Sequence, residues 1–328
     1  MENSVGTFVI SLDFEMMWGC KDWTSPEEYG KTNIAQVTDV INKLLSIFGK
    51  YNVHATIAVV GMIMLEDKKD ALNNIPQKIP SYINRNLSPY SDHYIERIEN
   101  RNSYMYFAPR LTEKLLQSPQ IEIGTHTYCH YYCWEKGQTK DEFEADLKKT
   151  IEIAKRKSIA LKSIVFPKNQ VSEDYLKVCA KYGIKAYRGN PKKFFAETNS
   201  KFLALYNRFA RLADTYINWG GNTSVPYSEI RTDMLPVNVP ASRMLRPYNH
   251  VLRFLEPLRL RRIKKEMRYA AKHHELYHLW WHPHNFGANM EQNFSFLEEV
   301  LRCYKKCHED YGMEAMTMSE FYEQLRKR

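Results

Sequence analysis

The fold class this sequence predicts is an α/β barrel, on two observations. Short apolar, β-branched runs alternate with helical periodicity along most of the chain, and polar or metal-capable residues recur directly after those runs.

Thr7–Leu12 (TFVISL) reads as a buried strand ending at Asp13, Ile34–Tyr51 as an amphipathic helix broken near Gly49, and His54–Val60 as a second strand. Together they make a β-α-β unit and argue for a parallel sheet. Gln120–Gly124, Ser163–Phe166, Lys185–Arg188 and Leu276–Trp281 read as further strands, with Ala315–Met318 as a short one. Helices are expected at Lys140–Lys157, Ser172–Tyr182, Leu258–Lys272 and Asn293–Tyr311, with one more at the end. Two polar, irregular regions, about 62–110 and 190–247, read as insertions into a single domain spanning 1–328.

Composition excludes several classes. The chain of 328 residues is 44% hydrophobic, with 22 Tyr, 15 Phe and 6 Trp, so disorder is not its main state. No apolar run approaches the roughly 20 residues of a membrane span. Asp13 and Glu15 interrupt the N-terminal apolar stretch, which lacks a basic leader, so an unprocessed cytoplasmic protein is expected. Six cysteines without CxxC spacing read as buried free thiols.

The net charge of +9 is concentrated. Between Arg246 and Lys272 stand nine Lys/Arg against two Glu, a local +7. On Leu258–Lys272, Ile263, Met267, Ala270 and Ala271 share one helical face, while Arg261, Lys264, Lys265, Arg268 and Lys272 share the other. That pattern fits a solvated outer helix, a peripheral membrane contact or a cradle for a phosphate-bearing substrate. No nucleic-acid-binding motif is present, and no nucleic-acid partner is expected.

Asp13 and Glu15 follow the first strand, His126 and His130 the third, Lys168 and Asn169 the fourth, and Arg188 the fifth. His282, His284 and Asn285 follow the last long strand. In an α/β barrel these ends share one mouth. Two imidazoles spaced i, i+4 meet one ion if their segment makes a helical turn, and one carboxylate completes a His₂-carboxylate set with a position open for water.

The ordered segments SLDFE, GTHTYCH, FPKNQ, YRG and WWHPHNF resemble the polysaccharide deacetylase family of carbohydrate esterases. The resemblance implies a distorted (β/α) barrel of about seven strands and a divalent metal, most readily Zn2+. It matches Asp13 to the catalytic base, His126 and His130 to metal ligands, and His282 to the general acid. The family's usual first motif has adjacent aspartates; here Phe14 separates Asp13 from Glu15. Glu15 is then the third ligand, or Asp13 if Glu15 points away. The arginine expected two residues before the third motif's proline is Val165, leaving Lys168 or Arg188 to replace its charge. A backbone N–H near Asn169 is the expected oxyanion donor. His284 and Asn285 are expected to tune His282 or touch the sugar, and Trp18, Trp280 and Trp281 to offer stacking faces.

The resemblance implies an N-acetylated sugar substrate. An intracellular, nucleotide- or lipid-linked intermediate of capsule or O-antigen assembly suits the basic segment. The same residues fit two other readings: an inactive deacetylase-like carbohydrate-binding protein, and a metal hydrolase of another amide or ester.

Overall fold

A computed structural model of the chain describes residues 5–190, 213–216 and 221–327. Part of the second expected insertion, 191–212 and 217–220, lies outside the described residues.

The strands are β1 Thr7–Phe14, β2 Ala55–Val59, β3 Ile121–Thr125, β4 Ser163–Ile164, β5 Ala186–Tyr187, β6 Val237–Asn238, β7 Arg243–Met244, β8 Leu276–Trp281 and β9 Glu314–Met316. Neighbours pair in parallel in the order β6-β5-β4-β3-β2-β1-β8-β7. β1 is central and wholly buried, because its residues face helices on one side and the barrel interior on the other. One edge of β1 pairs with β8 along Thr7–Leu12; β2 takes Ser11–Phe14 and β9 takes Thr7–Val9.

β6 and β7 are parts of one segment. Val237 and Val239 donate to carbonyls of Lys185 and Tyr187 beside β5, whereas Ser242 and Leu245 donate to His278 and Trp280 on β8. The first half of the segment extends the sheet from β5 and the second half joins it to β8. Counted this way, seven positions surround the barrel, and the crossing at Pro240 is its distortion. Both strands lie inside the range 190–247 that reads as an insertion, since two-residue strands flanking a proline carry no alternation to detect. The first insertion range holds a helix, Lys68–Asn73, and 3₁₀ turns; Ile95, Ile98, Met105 and Phe107 from it join the core.

Expected helices recur at Val37–Tyr51, Lys140–Arg156, Glu173–Lys181, Glu256–His273 and Met290–Tyr311, with a last one at Met318–Arg326. Thr139 and Glu142 form a capping box at the start of Lys140–Arg156, a feature that contributes about 1 kcal/mol. All six cysteines are free and buried.

The basic helix Glu256–His273 keeps its expected faces, with Ile263, Met267, Ala270 and Ala271 buried and Arg261, Lys265, Arg268 and Lys272 exposed, but two further arginines depart from the solvated pattern. Arg259 and Arg262 turn inward. Arg259 bonds Glu256 and stacks 4.0 Å from the Phe296 ring centre. Arg262 meets Asp214 at 3.1 Å and Glu266 at 3.2 Å, and Arg243 makes a two-pronged pair with Glu266 at 3.0 Å on each prong. Two of the nine cations of the basic segment are therefore neutralised inside the protein. Among the described residues, no helix is long and apolar enough to cross a membrane.

Candidate active site

Side chains alternate along a strand, so Ser11 and Asp13 share the inward face of β1, and His278 and Trp280 share that of β8. Glu15 and His282 continue these rows just past the strand ends. All converge on the barrel's interior and mouth. A cleft of about 250 Å³ opens there, lined by Asp13, Glu15, His130, Asn169, Trp280 and His282 among others.

Asp13 is 3% exposed and is gripped by Arg188, Nη1 to Oδ1 at 2.6 Å and Nη2 to Oδ2 at 2.7 Å. Burial alone would raise its pKa, but the Arg188 guanidinium, with His126 and His282 nearby, holds it below the ordinary 3.8. The fully buried Arg188 also donates to Asn169 Oδ1 at 3.2 and 2.9 Å and to Ser11 Oγ at 3.1 Å, and it stacks 4.2 Å from the Trp280 ring centre. The charge missing at Val165 thus comes from Arg188. Lys168 instead pairs with Asp22 at 2.7 Å and lies over the Tyr132 ring.

Behind Arg188 runs a buried chain whose protons are fixed by elimination. An arginine only donates, so Ser11 Oγ accepts from it and donates to His278 Nε2 at 2.8 Å; His278 Nδ1–H then donates to the Val239 carbonyl at 3.1 Å. Burial, reinforced by Arg188, pushes the His278 pKa down to about 3, so the ring is neutral as the chain requires. His278 thereby satisfies a carbonyl exposed at the barrel's crossing segment.

Glu15 points into the site. Its Oε2 is 2.9 Å from His130 Nε2 and 3.3 Å from His126 Nε2; its Oε1 is 3.5 Å from His282 Nε2 and 3.9 Å from His284 Nε2. Burial opposes ionisation, but the surrounding imidazoles hold the carboxyl well below 4.5. The His126–His130 segment is not the helical turn expected. It is a loop with Thr127 and His130 at positive φ, 64° and 60°. Asp146, from helix Lys140–Arg156, fixes it by accepting from the N–H groups of Tyr128 at 2.7 Å and Cys129 at 3.0 Å. Burial raises the Asp146 pKa to about 6.

These residues fit a divalent ion. The oxygen of Glu15 and a ring nitrogen of each histidine lie within 4.8 Å of one another, all buried. His126 Nδ1 is 2.8 Å from the Val165 carbonyl, so its proton sits there and Nε2 presents a lone pair. That Nε2 is buried with no hydrogen-bond partner, although a carboxylate oxygen faces it. A lone pair and a carboxylate repel unless a cation sits between them. Ligands about 2.1 Å from a tetrahedral ion lie about 3.4 Å apart, close to the His126–Glu15 spacing.

His282 Nε2 is 3.7 Å from Asp13 Oδ2. Asn285 Nδ2 lies 3.4 Å from His282 Nδ1, and Asn285 Oδ1 accepts from Tyr29 at 2.7 Å. In this orientation the proton of neutral His282 is on Nε2, facing the carboxylates. Turning the amide over gives Nδ1–H an acceptor and supports the imidazolium.

Two expectations are corrected. Trp18 offers no stacking face: it is fully buried with its N–H on the Tyr106 carbonyl, and Trp281 is also fully buried. The faces at the cleft belong to Trp280 and to Trp23, which is 60% exposed and was not singled out in the sequence. The N–H of Asn169 is not free for an oxyanion, because it closes a turn onto the Phe166 carbonyl at 2.9 Å. His284 is 2% exposed and burial pushes its pKa down to about 3; it packs as a neutral ring at the edge of the cleft, beside Glu15 and Tyr29 and 5.3 Å from the His282 ring.

Residues 28–187 match the family model for polysaccharide deacetylase. Asp13 and Glu15 precede the matched segment and His282 follows it. No curated protein matches the sequence. A structure described as a polysaccharide deacetylase from Mycobacterium smegmatis aligns over 100% of this chain and 92% of its own, at 13% identity and a TM-score of 0.61. The 4-alpha-glucanotransferase from Thermococcus litoralis aligns over 98% and 40%, at 13% identity and 0.53. A GH57-type branching enzyme from Pyrococcus horikoshii aligns over 97% and 70%, at 13% identity and 0.52. At these identities the likeness is one of fold. The matched segment, just under half of the chain, is similar to polysaccharide deacetylases, and the barrel that carries it shares its fold with the Mycobacterium smegmatis structure.

Proposed function

We propose that this chain hydrolyses an acetyl group from an N-acetylated sugar with the help of a divalent metal, and that its substrate is a nucleotide- or lipid-linked intermediate of surface-polysaccharide assembly. The observation that carries this reading is the meeting of two carboxylates at one cleft. Asp13 is held ionised by Arg188, while Glu15 converges with His126 and His130.

His126, His130 and Glu15 would hold the ion, most readily Zn2+. Bound there, it supplies Lewis acidity for an acetamide carbonyl and lowers the pKa of water. Asp13 accepts the proton of the attacking water, since Arg188 keeps it unprotonated at neutral pH. His282, across the cleft, delivers a proton from Nε2 to the departing amine. Asn169 and Ser11 brace Arg188, and Asn285 orients His282. Trp280 and Trp23 offer faces for a pyranose ring.

The inactive carbohydrate-binding reading rests on the departures at Phe14 and Val165. It is weakened because Glu15 and Arg188 supply the carboxylate and the guanidinium those positions lack. The test is metal content of purified protein together with acetate release from a panel of N-acetyl sugars and simple acetyl esters. One bound ion per chain and release from a sugar amide are expected. Absence of both would favour the inactive reading, and release from esters alone would favour another hydrolase.

A further inference from the structure

The most exposed large apolar side chains among the described residues include Val251, at 79%, and Phe254, at 71%. Both lie between β7 and helix Glu256–His273, with Leu258, 43% exposed, one turn further on. Phe254 and Leu258 stand one turn apart at the head of the helix, and Val251 lies in the turn just before it. The turn displaying them is built: Asn249 Oδ1 accepts from the N–H groups of Val251 at 2.8 Å and Leu252 at 3.3 Å, and Asn293 Oδ1 holds the Tyr248 N–H at 2.7 Å.

Topology sets where this tip is. The helix returns the chain from β7 to the start of β8, so its C-terminal end is at the barrel's bottom and its N-terminal end at the mouth that holds the cleft. Its 18 residues span about 27 Å, against about 20 Å for the six of β8. The tip therefore stands at or beyond the strand ends. Along the same helix follow exposed Arg261 and Lys265, about 4.5 and 10 Å below Leu258. The headgroup layer of a bilayer is about 5–8 Å deep on each side, and lysine or arginine stems extend toward it.

We infer that the Val251–Phe254–Leu258 tip is an anchor for an anionic bilayer surface, with the apolar groups in the interfacial layer and Arg261 and Lys265 at headgroup depth. Apolar side chains at the leading end, followed by cations at that depth, complement such a surface. The membrane contact thus moves from the length of the basic helix, part of whose charge is consumed internally, to its tip. The barrel mouth then opens beside the lipid. This deepens the lipid-linked reading of the substrate and rests on the proposed function for what the mouth receives.

The test is cosedimentation of the full chain with phosphatidylglycerol–phosphatidylcholine vesicles, against phosphatidylcholine alone, with solution mass measured in parallel. Preferential binding to the anionic vesicles is expected. The double substitution Val251→Ser and Phe254→Ser should reduce it about tenfold or more, and Arg261→Glu with Lys265→Glu should do likewise. Unchanged melting temperatures would show both variants folded. Equal binding by the variants and the unaltered chain would overturn the inference. So would absence of vesicle binding, or a dimer of the unaltered chain that the apolar double substitution dissolves. Binding is read without turnover: a His130→Ala protein that binds vesicles but releases no acetate would separate this inference from the proposed chemistry.

Discussion

Two buried arginine–carboxylate pairs invite comparison. Asp13–Arg188 and Glu266–Arg243 are both two-pronged and almost wholly shielded from water. Their surroundings differ. Glu266 is saturated: Arg243, Arg262 and the Tyr277 hydroxyl occupy both its oxygens. Asp13 is bonded on one side only, and its Oδ2 edges a cleft with His282 opposite. A buried ion pair by itself marks neither stability nor catalysis. On the proposed function, the open side of the carboxylate is what suits Asp13 to the second.

The sharpest break would come from removing the proposed metal ligand beside the open pair. His130→Ala should lose the ion and lower acetate release at least about a thousandfold, seen by metal analysis and turnover on folded protein. Asp13→Asn should keep the ion but lose about 10²–10⁴-fold in turnover. Glu266→Gln should instead cost about 3 kcal/mol or more in unfolding free energy, while turnover per folded molecule stays within about twofold. A Glu266 variant that is stable but inactive would erase the distinction drawn here.

Arg188→Lys gives a smaller and more discriminating effect. A single ammonium cannot reproduce the two-pronged grip, so the Asp13 pKa should rise toward 3.8. The acid limb of the kcat/KM profile should shift to higher pH, with turnover about tenfold lower. His278→Gln, acting through Ser11 and Arg188, should move the same limb in the same direction by less. Loss of activity without any shift of the profile would make its role merely structural.

The smallest effect is on stability with pH. Asp13 and Glu15 have depressed pKa values in the folded protein. Their contribution is complete above the ordinary 3.8 and 4.5 and is lost as pH falls through the lower folded values. Asp146, raised to about 6, works oppositely: its contribution is present below 3.8 and lost as pH rises through 6. Thermal melts between pH 3 and 7 should therefore show Asp13→Asn gaining less stability than the unaltered chain as pH leaves the acid range.

Much of this was legible before any coordinates. The βα alternation located the long strands to within a residue or two, because apolar periodicity records burial directly. The polar residues after those strands were found by position alone. What escaped depended on three-dimensional competition. Lys168 and Arg188 were equal candidates for one charge until Asp22 took the lysine. The inward turn of Arg259 and Arg262 was not legible, because Phe296 and Asp214, which they meet, are distant in sequence and Glu256 and Glu266 count there only as charge. Whether a tryptophan stacks on a sugar or fills the core is not written in its neighbours, so Trp18 and Trp23 exchanged roles. Ser11 and His278 did carry a signal: S-x-D-x-E and H-x-W-x-H set polar groups at every second position of otherwise apolar strands. Asp146 carried none, being one acid among several on an amphipathic helix.

The segment from Val237 to Leu245 has a consequence for how such a molecule diversifies. It is attached to one neighbour by its first half and to another by its second, so the chain feeding it can lengthen or shorten without disturbing the register of β1, which carries Asp13 and leads directly to Glu15. On the proposed function, the rim can thus be retailored for a different glycan while Asp13 and Glu15 keep their spacing.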